Sequence, residues 1–348
     1  MILFNVLAIL YGKGSTKMNT LKVQNYKQKI KSQFLRIKDN LPVEEEHVKF
    51  LKKKLRKGNE LVIFDTIVTS YKRRENPYIN DYLDACKDIF IELMYYYVKK
   101  NNTEKAYYLS VVRDYNALYK NNKQEIDFIL FDTLQDKSFY CRDNAYLAIC
   151  KMADPYKMKD ALLQISNSNK FFHQNLIVNG LIMYNGEKEL FLKLLLDNFN
   201  LLRNDIKCCV IEYFAYSKIE RNEFVLQVFT SSNNPSLKIS CLKYFEYIFC
   251  KEAEPLLITC VNETLEKDFE LSYASIKSLR NYHTKDSIET IKKAAYSTNF
   301  RIRDIACESL AVIRLGVDAK DLEEFITEED VYDIYQYHIH KNLEKTVK

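Results

Sequence analysis

Apolar residues recur along the second half of this chain with a period that can be counted. From Cys141 the next positions of the pattern, Ala145, Ile149 and Met152, stand at offsets of 4, 8 and 11, a single stripe on a helix turning about 100° per residue. The same offsets recur from five further anchors. They give Phe172, Leu176, Gly180, Met183; Ile206, Val210, Phe214, Ser217; Leu237, Cys241, Phe245, Ile248; Leu271, Ser275, Leu279, Tyr282; and Ile302, Ala306, Leu310, Ile313. Successive anchors lie 31, 34, 31, 34 and 31 residues apart. Between them run segments with their own stripe: Ile126 to Leu134, Ala161 to Ile165, Leu190 to Phe199, Phe224 to Phe229, Leu256 to Leu265 and Ile288 to Ala295. Each period therefore predicts two antiparallel helices, neither able to bury its face alone, and six such units stacked over residues 121 to 317.

Upstream the pattern predicts helices over 43–57, 59–73, 78–99 and 103–120, with breaks at Gly58, at Asn76-Pro77 and at Asn101-Asn102. The stretch from Leu61 to Tyr71 is apolar nearly all round, which marks a helix buried between neighbours. Residues 18 to 120 thus read as a basic linker and N-terminal helices, and residues 318 to 348 as C-terminal capping helices. Composition points the same way: 6 Gly and 5 Pro in 348 residues leave few turns, and a 47% apolar fraction excludes a disordered chain. The class is all-α.

Charge is uneven. Between Lys13 and Lys57, 14 Lys or Arg face 4 Asp or Glu, a net +10, which leaves −5 for residues 58 to 348 of a chain whose total is +5. Residues 1 to 17 hold an apolar run, Ile2 to Tyr11, followed directly by Lys13 and Lys17. As a helix that run covers on the order of 15 Å, half of a bilayer core, so it cannot span alone. Three readings stay open: a span that starts upstream, a half-inserted anchor, or an apolar helix docked on the protein. The anchor readings place the body in the cytoplasm, on the inner face of the membrane, with Lys52, Lys53, Lys54, Arg56 and Lys57 close to anionic lipid. A solvated helix face is the alternative for that run of charge.

The second helices resemble HEAT repeats. A basic residue follows the anchor in Arg142, Lys207, Lys238 and Arg303, with His173 and Ser272 as departures. Five positions before the anchor, where that family prefers Asp, stand Asp136, Asn167, Ser232 and Glu266. The resemblance implies an armadillo-like helical fold, a right-handed α-solenoid or superhelix of helix pairs, and specifies little beyond the fold. The block from Tyr82-Leu83 to Ala106-Tyr107-Tyr108, taken with the apolar start, also resembles membrane-anchored bacterial HEAT-repeat proteins. Some of those accompany membrane glycosyltransferases, so that likeness implies such a partner.

At offset 1 from the anchor, Arg142, Lys207, Lys238 and Arg303 fall inside the apolar arc and face the neighbouring repeat. They are expected to form an inter-repeat ladder, with Arg142 or Arg303 reaching the polar side chain in the preceding turn. The opposite arc should line a concave surface. It holds Leu147, Val178, Ile182, Cys209, Tyr216, Ile219, Tyr247, Cys250, Ile305 and Val312, with Tyr273 beside them. An apolar strip along a groove marks a binding surface or a superhelix packed on itself. Tyr216, Tyr247 and Tyr273, flanked by Lys243, Lys277, Arg280 and Glu246, have the composition of an interface hot spot and are the expected contact residues for a partner protein.

No catalytic or cofactor motif accompanies this pattern. The nine cysteines form no C-x-x-C pair and read as small core residues in a reducing compartment; His338 and His340 point about 200° apart on a helix and make poor shared metal ligands. Gly12-Lys13-Gly14 lacks the spacing of a phosphate loop, and nothing points to a bilin-attaching enzyme. The expected function is a non-enzymatic protein-binding scaffold without cofactor. The alternative is a nucleic-acid enzyme, such as the DNA glycosylases for alkylated bases found among HEAT-like folds. That would need aromatic platforms, a basic groove and a carboxylate, for which Asp143 and Asp304 are the concave candidates, while the repeat region is not basic.

Overall fold

A computed structural model of the chain describes residues 16–115, 124–316 and 329–346. The apolar run Ile2–Tyr11 and the expected start of the C-terminal cap, 318–328, lie outside the described residues. Every regular element described is a helix. In order these are α1 (Thr16–Lys38), α2 (Glu45–Lys54), α3 (Gly58–Arg73), α4 (Ile79–Ala85), α5 (Lys87–Tyr97), α6 (Asn102–Asp114), α7 (Gln124–Thr133), α8 (Phe139–Lys151), α9 (Pro155–Ser166) and α10 (Gln174–Met183). There follow α11 (Lys188–Asn198), α12 (Asn204–Tyr216), α13 (Asn222–Ser231), α14 (Pro235–Tyr247), α15 (Glu254–Thr264), α16 (Phe269–Leu279), α17 (Lys285–Ala294), α18 (Phe300–Gly316) and α19 (Glu329–Thr346).

Local chemistry sets these boundaries. Asn101, Asp154, Asn234, Asp268 and Thr284 each accept a hydrogen bond from a backbone N–H of the first turn they cap, and Pro155 and Pro235 follow two of them at the position where a missing N–H costs nothing. With glycine scarce, left-handed backbone past the helix ends falls to other residues: Asn40 (φ 58°), Glu75 (φ 52°), Ala153 (φ 61°) and Lys218 (φ 53°). After three of them the chain closes on the helix, Leu41 N–H donating to Arg36, Asn76 to Tyr71 and Ile219 to Phe214.

The described residues fall into two compact units, one within Met1–Phe172 and Met183–Leu196, the other within His173–Ile182 and Asp197–Lys348. In each, helices pack neighbour to neighbour as in an α-solenoid. In the first unit α6 packs on α8, which is flanked by α7 and α9, while α1 lies on α3 and α4 and α2 lies on α5. In the second, α12, α14, α16 and α18 form a row in which each touches the next, and α13, α15 and α17 each pack on the helix that follows.

The core of the first unit is aromatic. Phe64 meets Tyr82, Phe90 and Tyr115, and Tyr97 stacks on Tyr108 with centroids 4.5 Å apart. Buried hydroxyls find acceptors: Tyr97 donates to the Leu55 carbonyl at 2.7 Å, Tyr108 to the Phe90 carbonyl, and Tyr107 and Tyr115 share the Asp65 carboxylate at 2.8 and 3.1 Å. Burial, only partly offset by these two hydroxyls, pushes the Asp65 carboxyl up from its ordinary range.

Two expectations are corrected. The helix expected over 78–99 breaks at Cys86 into α4 and α5. On a continuous helix Tyr82 and Phe90 would stand about 80° apart; the break lets both rings meet Phe64. In the second repeat the stripe shifts by one residue: Ile177, Leu181 and Tyr184 are buried, whereas Leu176 is only half-buried and Met183 is 44% exposed. Phe172 is buried but precedes α10, so this anchor is not equivalent to the other five, each of which is the third residue of its helix. Eight of the nine free cysteines are buried, Cys260 being half-buried, and burial holds the Cys86, Cys150 and Cys307 thiols up at about 12. No helix among the described residues is long and apolar enough to cross a membrane.

Candidate functional site

The second unit carries an open groove of about 350 Å³ across α12, α14 and α16. Its walls are built from Tyr216, Tyr247, Phe269 and Tyr273, with Ile239 and Ala274 between them. Tyr216 and Tyr247 hold the same position in successive repeats, ten residues past their anchors, and their rings meet edge to face at 5.2 Å and 82°. They remain 43% and 49% exposed, so each offers a face that its own fold leaves uncovered. Phe269 and Tyr273, one turn apart on α16, form a second pair at 5.8 Å.

Charge in the groove is matched within the protein. Lys243 reaches back one repeat to Glu212 at 2.7 Å, and the Glu212 side chain is only 4% exposed. Lys277 and Arg280 both hold Glu246, at 3.2 and 2.8 Å. Asn281 adds donors to the Phe245 and Glu246 carbonyls at 3.2 and 2.7 Å. Burial works against the Lys243 ammonium, but the hydrogen bond and charge of Glu212 outweigh it and its pKa stands above the ordinary value. Burial raises the Tyr216 phenol, keeping it a neutral donor. With Glu270 at the rim, three cations face three carboxylates. The arrangement suits a partner that brings apolar or aromatic side chains, and it does not concentrate the positive charge that a nucleic acid requires.

Five of the six residues expected to contact a partner, Tyr216, Lys243, Tyr247, Tyr273 and Lys277, line this one groove, and Arg280 reaches it through Glu246. The longer strip does not stay together as a surface. Val178, Cys209, Cys250 and Ile305 are buried, Leu147 and Ile219 half-buried, and Ile182 and Val312 exposed. Offset 3 lies too close to the apolar arc to reach solvent, which is why Cys209 and Ile305 turn inward. Phe269 and Glu212 were missed. Phe269 precedes its anchor and falls outside the arc considered; Glu212, six residues past its anchor, shares that place with Lys243 and Lys277, and the change of sign from Glu212 to Lys243 was the one available signal, which does not fix which side chain reaches across.

Because both tyrosines are half-exposed, the paired change Tyr216→Ala with Tyr247→Ala is expected to cost only about 1 to 2 kcal/mol, mostly their edge-to-face contact, against about 3 to 5 for a fully buried ring such as Phe214. Urea unfolding followed by far-UV circular dichroism measures this; a loss matching the buried-ring value would mean that the strip is core.

The ladder expected of Arg142, Lys207, Lys238 and Arg303 takes a different form. Arg142 and Arg303 donate to main-chain carbonyls of the preceding turn: Arg142 to Asp136 and Lys137 at 2.8 and 3.1 Å, Arg303 to Ser297 and Thr298 at 3.0 and 3.3 Å. The Lys207 and Lys238 ammoniums stand over Phe199 and Phe229 at 5.5 and 5.7 Å. Polar side chains five positions before the anchors serve neighbouring repeats instead, Asp136 pairing with Lys105 at 2.6 Å and Glu266, in the turn before α16, accepting from Ser297 and Thr298 at 2.8 and 2.6 Å. Asp304 is paired with His338 at 2.8 Å. Among the described residues no group of three or more His, Cys, Asp or Glu is placed to share a metal ion.

No protein-family model matches the chain, and no curated protein matches it.

Proposed function

We propose that this chain is a non-enzymatic interaction scaffold, built of HEAT-like helix pairs, that holds a segment of a partner protein in the aromatic groove of its second unit. The observation that carries this reading is the combination of half-exposed tyrosine faces with cations already neutralised by Glu212 and Glu246. Exposed aromatic surface is held in place on three packed helices, so little ordering entropy is lost on binding. The groove keeps no net charge that would favour a nucleic acid, which supports the scaffold reading over the glycosylase alternative. The scaffold works at the cytoplasmic face of a membrane, a placement supported by the apolar run Ile2–Tyr11 and the net +10 from Lys13 to Lys57. A membrane protein is the partner such a place would supply, and a glycosyltransferase is the one that the likeness to membrane-anchored HEAT-repeat proteins suggests.

The test is site-specific photo-crosslinking in the native host. A photoreactive phenylalanine analogue in place of Tyr247 or Tyr273 is expected to trap one adduct of defined mass. The same analogue at Gln227, exposed on α13, is expected to trap none. Silence at both groove positions, or an identical adduct from Gln227, defeats the proposal.

A further inference from the structure

We infer that the face formed by α2 and α5 in the first unit is a docking surface for an anionic lipid bilayer. Lys49, Lys52, Lys53 and Arg56 surround one open depression of about 440 Å³ whose lining holds no carboxylate. On the neighbouring α5 and just past its end stand Tyr95, Tyr96, Lys99 and Lys100. Arg56 lies 5.7 Å and Lys100 4.6 Å from the Tyr96 ring, which joins the two helices into one cationic and aromatic surface. Lys52 is held by Glu92 at 2.5 Å, whereas Lys53, Arg56, Lys57 and Lys99 form no ion pair among the described residues. All four are exposed, as is Tyr95 at 45%.

The shape chooses the occupant. Cations spread over an open face with no enclosing wall fit an extended negative surface rather than a small anion. Tyrosines with one apolar and one polar end are the residues that settle at the headgroup level. The sequence supplies an independent reason. The apolar run Ile2–Tyr11 is followed directly by the basic stretch from Lys13 to Lys57, which includes Lys49, Lys52, Lys53 and Arg56, so apolar insertion and the cationic face would act together at one anionic surface. This inference rests on the membrane-side placement proposed above and names the surface that would make the contact.

The experiment uses the full chain and sedimentation with vesicles of phosphatidylcholine alone or with about a third phosphatidylglycerol. Each surface Lys or Arg favours an anionic leaflet by about fivefold. The anionic vesicles are therefore expected to bind at least tenfold more protein, with the excess falling steeply as salt is raised. The variant Lys53→Glu, Arg56→Glu, Lys57→Glu is expected to remove that excess, and the milder Lys53→Gln, Arg56→Gln, Lys57→Gln to reduce it. The circular dichroism and thermal transition of both variants are expected to match those of the wild type, since all three side chains are exposed. Equal binding to both vesicles, or an anionic preference that survives both variants, overturns the inference while leaving membrane placement standing on the apolar run. Binding to neither vesicle overturns both. Retention on single-stranded DNA at the same salt, with the same dependence on the three cations, would reassign the face to nucleic acid and overturn the lipid reading.

Discussion

Replacing Arg142 with alanine is expected to lower the stability of the first unit by about 3 to 5 kcal/mol. The guanidinium is 6% exposed and serves three carbonyls, those of Asp136 and Lys137 in the turn before α8 and that of Phe171 at 2.9 Å in the turn before the next repeat. It also lies over the Phe172 ring at 5.5 Å. Alanine would strand those oxygens and leave a void where the side-chain stem packed, and each buried acceptor without a donor costs about 1 to 3 kcal/mol. Lysine has a charge but no planar fork, so Arg142→Lys should recover about half of the loss. The chain has no tryptophan. Urea unfolding is therefore best followed by far-UV circular dichroism, with hydrogen exchange reporting on peptides that cover 134–142 and 166–173. A loss below about 1 kcal/mol would mean that water satisfies the carbonyls, and the tie between the two turns would then contribute little.

Arg303 provides the comparison within the same molecule. It holds the equivalent place in its repeat but makes two bonds, to Ser297 and Thr298, and is only half-buried. Its truncation should cost about 1 kcal/mol. The contrast between the two arginines is set by the third acceptor: the Phe171 carbonyl reaches Arg142, and no carbonyl of a following repeat reaches Arg303 among the contacts described.

The helix pairs were legible in the sequence because burial on one face imposes a period, and periods survive substitution. Five anchors, Cys141, Ile206, Leu237, Leu271 and Ile302, fall at the same point of their helices. Phe172 did not, for a physical reason: Phe171, Phe172 and the later Ile177, Val178, Leu181 and Ile182 supply apolar residues on several faces, so the stripe fits two registers and only packing chooses between them. The break at Cys86 carries no Gly or Pro signal, and the ring contacts that go with it, Tyr82 and Phe90 on Phe64, join residues 18 and 26 positions apart in the chain. In the groove, the tyrosines could be placed by offset. Their matched charges could not, because an ion pair between repeats depends on which rotamer reaches across, and sequence spacing alone leaves Lys243 looking like a free cation instead of the partner of Glu212.

Acid is expected to weaken the first unit before it affects most carboxylates, through His47. The imidazole is 5% exposed, with Nε2 2.8 Å from the hydroxyl of Tyr82, itself fully buried. Burial, and then the charge of Lys29, lower its pKa from 6.5 to about 4, with Glu44 opposing. Above pH 6.5 the ring is neutral in both states and stability is complete. Between 6.5 and about 4 the unfolded chain binds a proton that the folded one refuses, so stability falls as pH falls, by about 3 kcal/mol over the window. Asp114 and Asp136, whose carboxyls are held below their ordinary value, lose their contribution only at lower pH, and Asp65, raised by burial, acts in the opposite sense. Urea midpoints of the wild type should therefore drop across this range while those of His47→Gln stay nearly level. Parallel slopes for the two proteins would exclude His47 as the origin. Because α2 carries both His47 and the cations Lys52, Lys53 and Arg56, hydrogen exchange at pH 5 should rise first in 45–54, loosening the basic face before the aromatic groove of the second unit is affected.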